Sequence, residues 1–330
     1  MTRGALALLA GLAVGCGQAR DGAAREAVTI PPGATLDAAV DSLVAHGVVD
    51  EFPFRVYARL VGLRGVLKSG EYELRRDAPW RDVVAALARG RGAEVRWTVP
   101  EGLMLPEVAA LAEQELGVPA ESLRTAVRDP ALVRELGLPS QTSVDGYLYP
   151  TTYLLPVHVG ARDLLRIMTR EFVAEWQPGW DARLDSLHMT RHELVTLASI
   201  VEAEVRYDPD RAFVSAVYHN RLARGMKLEA DPTILYAYGR RLKRVWDSNL
   251  RVQSPYNTYL HPGLPPGPIA EPGRASLAAA LYPADVPFLY FVAQPDGKHI
   301  FSVTLAQHEA AIRAVKQQRS AERAPLSPGH

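Results

Sequence analysis

Thr190-Arg191-His192-Glu193-Leu194-Val195-Thr196-Leu197-Ala198-Ser199-Ile200-Val201-Glu202-Ala203-Glu204 is the stretch whose reading decides the rest of the chain. Thr190 and Glu193 stand at the spacing of a capping box, in which a threonine side chain and a glutamate three residues on satisfy each other's backbone N–H groups. A helix therefore begins here. Its body is apolar on almost every side, the pattern of a helix enclosed by its domain. At about 100° per residue, Glu202 projects between Ala198 and Val195, whereas Glu204 points roughly 200° away, beside Leu197 and Ile200. The two carboxylates cannot serve one site from this helix. A carboxyl on a buried, apolar helix is costly to ionise and can stay protonated near neutral pH, as a general acid must. Glu202 is the candidate for that role; pairing with Arg206 at i, i+4 is its plain structural alternative.

Downstream, Asp208-Pro209 opens a second helix that carries Asn220 and Arg221 and stops near Gly225. Asp231-Pro232-Thr233 follows, where Asp231 either caps a third helix or offers an acceptor to a ligand. Gln253 to Gly273 then runs for 21 residues with six prolines and three glycines. A loop so long and stiff inside a domain is uncommon and tends to be functional, because proline fixes the backbone before a ligand arrives. It contains Tyr256, Asn257, Thr258 and Tyr259. Phe288 to Ala293 and His299 to Ser302 read as a hairpin around Pro295-Asp296-Gly297, followed by a helix from about Thr304 to Lys316.

Upstream, three degenerate copies of strand, turn and short helix appear. They start at Val28-Thr29-Ile30, Tyr72-Glu73-Leu74 and Trp97-Thr98-Val99, and their helices stop near Gly47, Gly90 and Gly117. Residues 103–187 read mainly as helices, with breaks at Asp129-Pro130, Pro139 and Pro178-Gly179. The tyrosines of Asp145-Gly146-Tyr147-Leu148-Tyr149-Pro150-Thr151-Thr152-Tyr153 could stack on sugar rings, although core packing is their commoner fate. The expected fold is α+β: a small strand and helix module at 28–98, then a mainly helical domain at 99–316 with a long Pro/Gly-rich loop and a C-terminal β-hairpin. Residues 317–330 read as a disordered tail.

Lysine plus arginine and aspartate plus glutamate both number 37, so the basic excess of a nucleic-acid binder is missing. Cys16 is the sole cysteine, which rules out an intrachain disulfide and a cysteine-based metal cluster. Gly4 to Gly15 is uncharged but shorter than the roughly 20 residues a spanning helix needs, so residues 1–16 read as an export signal. Ala13-Val14-Gly15-Cys16 resembles a lipoprotein signal, with Cys16 as the lipid attachment point and 17–27 as a spacer.

The series Leu197-Ala198-Ser199-Ile200-Val201-Glu202, Asn220-Arg221-Leu222, Gly225-Met226, Asp231-Pro232-Thr233, Tyr256-Asn257-Thr258-Tyr259 and Gly263-Leu264-Pro265-Pro266-Gly267-Pro268-Ile269-Ala270 closely resembles the YceG-like family of endolytic murein transglycosylases. The resemblance runs from about Val28 to about Val315, and the first third resembles that family's LysM-like subdomain. It implies cleavage of the MurNAc–GlcNAc β-1,4 bond of peptidoglycan with closure of a 1,6-anhydro ring, with Glu202 as acid and then base. It further implies glycan contacts from Asn220, Asp231, Tyr256, Asn257 and Tyr259, no metal or organic cofactor, and wall-synthesis synthases as companions. The catalytic domain is expected outside the cytoplasm, on the bacterial inner membrane.

Two other readings stay open on the residues: a muramidase that uses water, and a non-catalytic peptidoglycan-binding scaffold. A metallohydrolase built on His188 and His192 lacks the HExxH glutamate.

Overall fold

The structure is a computed structural model that describes residues 25–323 apart from 32, 77, 91–93, 139–142, 158 and 243–244. The signal-like stretch, Cys16 and most of the spacer lie outside the described residues. No helix among those described is long and apolar enough to cross a membrane. The chain divides into two compact units, one of residues 1–97 and 153–159, the other of 98–152 and 160–330.

In the first unit, β1 (Arg25–Ile30) and β2 (Gly70–Arg75) pair antiparallel with Val28 opposite Tyr72. Alternation of buried and exposed residues along both strands leaves one apolar face, which α1 (Leu36–Ala45), α2 (Glu51–Leu60) and α3 (Trp80–Arg89) accompany in a shared core. Val28, Leu43, Phe54, Leu63, Tyr72 and Leu87 are fully buried there, each contributing about 2 kcal/mol through loss of apolar surface to water. Thr35 caps α1 by accepting from the Ala38 N–H. The three strand-turn-helix copies are present. The first contains one helix more than the pattern suggests, α2, whose Pro53 sits harmlessly in the first turn. The third copy is split between the units. Its strand β3 (Glu94–Thr98) pairs with β4 (Thr152–Pro156), and its helix belongs to the second unit.

The second unit is mainly helical. It comprises α4 (Leu105–Leu116), α5 (Ala120–Val127), α6 (Pro130–Leu136), α7 (Ala161–Glu175), α8 (Trp180–Leu187), α9 (Arg191–Glu204), α10 (Arg211–Ala223), α11 (Asp231–Ala237) and α12 (Arg274–Leu281), then the hairpin β5 (Tyr290–Ala293) and β6 (His299–Ser302), and α13 (Leu305–Arg323). The breaks expected at Asp129-Pro130 and Pro178-Gly179 are helix starts, with Asp129 accepting from the Ala131 N–H to cap α6. The helix after the hairpin runs to Arg323, so 317–323 is helical and not a loose tail. Val315 is buried on it, which anchors the helix.

At the centre stands α9. The capping box is realised as expected: Thr190 accepts from the Glu193 N–H, and Glu193 accepts from the Thr190 N–H at 2.8 Å. Leu194, Val195, Leu197, Ala198, Ile200 and Val201 are fully buried, with α8, α10, α11 and α12 packed around them. The tyrosine-rich stretch packs inward as well. Tyr147 and Tyr149 are buried, and Tyr153 lies in the first unit with its ring 6.0 Å from Trp97. They are core residues and not a sugar platform.

Gly146 makes the close approach of this stretch possible. It adopts φ +83°, and a Cβ there would fall 2.2 Å from the Pro268 ring. Gly146→Ala should therefore destabilise the protein by about 3 kcal/mol. Urea unfolding midpoints measure this; an unchanged midpoint would contradict the packing.

Candidate active site

The polar groups of α9 fall on two faces. On the first, His192 Nε2 donates to the Pro266 carbonyl at 2.9 Å while its Nδ1 accepts from the Tyr147 hydroxyl at 2.9 Å. One turn pair further on, Ser199 Oγ accepts from the Ile269 N–H at 3.0 Å, and Glu202 Oε2 accepts from the Gly273 N–H at 3.0 Å. His192 and Ser199 lie close to one line on the helix surface, since seven residues nearly complete two turns, and Glu202 lies about 60° round from Ser199 on the same side. They stitch the proline-rich loop along α9. Both nitrogens of His192 are thereby spent, and no cluster of three potential metal ligands occurs among the described residues.

Glu202 is committed to this seam. Its other oxygen, Oε1, lies 3.2 Å from the Arg211 guanidinium, and the two side chains are 7% and 10% exposed. Arg211 also donates to Asp208 at 2.7 Å and to Ser276, so Glu202, α10 and α12 are locked together. A second carboxylate does reach the Glu202 face, but from elsewhere in the chain. Glu101 occupies the space over Gly273, and burial together with the charge of Glu202 pushes its carboxyl up. The Gly102 N–H and the Leu103 carbonyl pair with the backbone of Glu271 at 2.8 and 2.9 Å, which brings Glu101 there.

The opposite face carries Glu204. Tyr218 on α10 donates to Glu204 Oε1 at 3.1 Å. Surrounding protein pushes the Glu204 carboxyl up to about 7; the charge of Asp231 adds to the rise and the Tyr218 hydrogen bond opposes it. Asp231 is itself exposed and accepts a 2.7 Å hydrogen bond from the Tyr259 hydroxyl. Burial and that carboxylate push the tyrosine well above its ordinary range. Of the residues singled out in the sequence, Asp231 and Tyr259 thus pair with each other, and the charge of Asp231 bears on Glu204.

The other singled-out residues hold backbone. Asn220 donates to the carbonyls of Val286 and Phe288 at 2.8 and 2.9 Å, securing the entry to the hairpin. Asn257 is fully buried, donates to the Leu250 and Val252 carbonyls, and accepts from the Tyr259 N–H. Tyr256 is half-buried, with its ring 4.5 Å from that of Tyr236. Asp231 does not cap α11, whose cap is Ala230. Arg221 acts as a hub, donating to Leu289, Lys227 and Leu228 carbonyls and to Glu229, whose backbone adopts φ +51°.

Sequence reading missed Glu271, and a lone acid between Ala270 and Pro272 in an apolar stretch was the available signal. Its carboxyl is fully buried and accepts from the Gly146 and Leu148 N–H groups at 3.1 and 2.8 Å. It also hydrogen-bonds Asp145, and burial pushes both carboxyls up, Asp145 to about 6. Asp145 Oδ2 accepts from the Tyr236 hydroxyl at 2.7 Å, while its buried Oδ1 has no donor unless the Glu271 carboxyl supplies a proton. Two touching carboxyls in the interior are satisfied only when they share one.

Comparison with known proteins follows the same segments. The sequence profile of the YceG-like family matches residues 28–314. The endolytic murein transglycosylase of Bacillus subtilis is 30% identical over 300 residues, covering 86% of this chain and 83% of that protein. The endolytic murein transglycosylase of Streptococcus pneumoniae serotype 2 is 29% identical over 313 residues, covering 85% of this chain. The chain spans 55% of that longer relative. The crystal structure of a yceG-like protein from Listeria monocytogenes aligns with a TM-score of 0.62 at 30% identity, covering 88% of this chain and 99% of the other.

The shared proton has a consequence for stability. Asp145 is raised from 3.8 to about 6, so the stability it contributes is complete below about pH 4 and is lost as pH rises through about 6. Asp145→Asn can accept from Tyr236 and donate to Glu271 with no shared proton. The melting temperature of the wild type should fall more between pH 5 and pH 8 than that of the variant; parallel curves would refute the shared proton.

Proposed function

The chain belongs to the YceG-like family, and from that premise we propose that it is an endolytic lytic transglycosylase whose general acid is Glu204. The observation that carries the choice of residue is the contrast between two carboxyls on one helix. Glu202 has both oxygens engaged, by a guanidinium and by a backbone N–H at the start of α12. Those two partners hold the Glu202 carboxylate in place along the seam between α9, α10 and α12. Glu204 is held by a single neutral donor, and burial, with the charge of Asp231 adding, pushes its carboxyl up to about 7. An acid tuned close to the working pH gives and retakes a proton most efficiently.

The reaction then runs in two proton transfers. Glu204 protonates the leaving O4 of the GlcNAc as the bond to MurNAc C1 breaks. The resulting carboxylate removes the proton from the MurNAc C6 hydroxyl as O6 bonds to C1, giving a 1,6-anhydro end and a reprotonated Glu204. No water is consumed. The substrate is peptidoglycan, the polymer named in the relatives' activity. The first unit would bind or orient glycan as a LysM-like module, and Cys16 would tether the chain to the inner membrane, with the site on its extracytoplasmic side. The glycan is cut beside Asp231 and Tyr259, while Asn220, Tyr256 and Asn257 keep the loop and hairpin in place around it.

Mass spectrometry of glycan fragments released from purified peptidoglycan tests this. Wild type should release 1,6-anhydro-MurNAc ends, and Glu204→Gln should lower turnover by two orders of magnitude or more while still folding. Glu202→Gln should lose stability, because it breaks a buried pair, yet still form the same product. An inactive, folded Glu202→Gln beside an active Glu204→Gln would return the role to Glu202. Reducing ends would identify a muramidase, and no release would favour a binding scaffold.

A further inference from the structure

Trp246 and Tyr238 are large aromatic residues that the core does not enclose: they are 57% and 38% exposed. One asparagine holds both. Asn249 accepts from the Trp246 N–H at 2.9 Å and donates to the Tyr238 hydroxyl at 3.3 Å, so the oxygen and the nitrogen of its amide each fix one aromatic residue at the surface. The surrounding segment is braced as well. Arg241 donates to the Glu107 carboxylate at 2.6 and 3.0 Å and to the Gly102 carbonyl at 2.9 Å, which ties it to the start of α4. The fully buried Asn257 donates to the Leu250 and Val252 carbonyls and accepts from the Tyr259 N–H. The turn that carries Asn249 and the tyrosine that meets Asp231 are therefore held by a single side chain.

The aromatic pair also lies in line with Asp231. Asp231 opens α11 and Tyr238 follows its last residue. Seven residues nearly complete two turns, so the two stand on one side of the helix, about 10 Å apart along its axis. That spacing matches the length of a disaccharide. From Tyr238 to Gln253 the sequence has five arginines and lysines against one acid, Asp247, and Arg240 and Arg251 are exposed. Flat aromatic faces stack on the apolar faces of hexose rings, and guanidinium groups pair with carboxylates. A peptidoglycan strand offers both, since the peptides borne by its MurNAc residues end in carboxylates. We propose that Trp246 and Tyr238 form a distal glycan subsite, which holds the strand about one disaccharide from the bond being cut while the exposed arginines meet the carboxylates of its peptides. The inference rests on the proposed cutting of peptidoglycan beside Asp231 and Tyr259. The pair moves no proton. It grips the strand beyond the scissile bond, so the strand is cut within its length and not at its end.

The test is the steady-state kinetics of anhydro-end formation on uncross-linked glycan strands by the full-length chain, comparing wild type, Trp246→Ala, Trp246→Phe and Tyr238→Ala. Trp246→Ala should raise KM about tenfold with kcat little changed, because binding is lost and the chemistry is not. Trp246→Phe keeps a flat ring and should recover most of the affinity, and Tyr238→Ala should raise KM by less. Melting temperatures should stay near that of wild type, since both side chains lie at the surface. An unchanged KM in both alanine variants, a fall in kcat alone, or no recovery with phenylalanine would overturn the subsite. A wild type that releases no fragments would instead defeat the transglycosylase reading. Calorimetric titration with the same strands then decides the subsite by itself: weaker binding by Trp246→Ala sustains it, and equal binding overturns it.

Discussion

A helix enclosed on nearly all sides has few places to put polar atoms, and α9 spends most of its own along one seam. His192, Ser199 and Glu202 each take one backbone partner from the proline-rich loop, at Pro266, Ile269 and Gly273. Proline supplies no N–H donor, so beyond the turn around Asn257 such a loop makes few bonds to itself. It borrows its order from the helix. Once it is laid down, its far end starts α12 and delivers Glu271 to the turn at Gly146, and its early part clamps the start of α11. The domain can be viewed as one buried helix with a stiff strap fastened to it.

The strap is held largely by polar contacts in places where apolar ones would be cheaper. The Glu202–Arg211 pair, the Asp145–Glu271 pair and the Thr233–Thr258 contact are all buried. Well-packed leucines can equal such groups in stability, because desolvating ions offsets most of their attraction. Apolar contacts do not define a register, however. A loop held only by apolar packing could slide by a residue and still cover the core, whereas a carboxylate that needs two particular N–H groups cannot tolerate that shift. What the polar seam adds is a single geometry.

Much of the scaffold was legible in the chain because it is written locally. The capping box at Thr190, the hairpin around Pro295-Asp296-Gly297 and the strand-turn-helix copies each rest on neighbouring residues, and each is present. Helix α2 escaped notice because its apolar residues do not keep to one buried stripe; Phe52 and Leu60 are exposed. The division of the third copy was illegible for a different reason, since β3 finds its partner in β4, more than fifty residues away. The surroundings of the two glutamates were illegible in the same manner. The helix alone shows that Glu202 and Glu204 face apart, and that is correct. Which of them meets a guanidinium and which meets a tyrosine depends on α10, α11 and the loop, none of which the helix encodes.

The spacing of those two glutamates has a mechanical meaning. Two residues apart on an α-helix, side chains point roughly 200° from each other, yet their backbones belong to the same rigid turn. Anchoring Glu202 to Arg211 and Gly273 therefore also fixes the turn that carries Glu204. Glu202 sits where two donors hold it, and Glu204, the proposed general acid, keeps a single neutral donor. Displacing a reacting group by about 1 Å can cost on the order of a hundredfold in rate. A site at the last turn of a helix, where ends fray, gains most from such an anchor. On the proposed assignment, the deep engagement of Glu202 is what holds that last turn still.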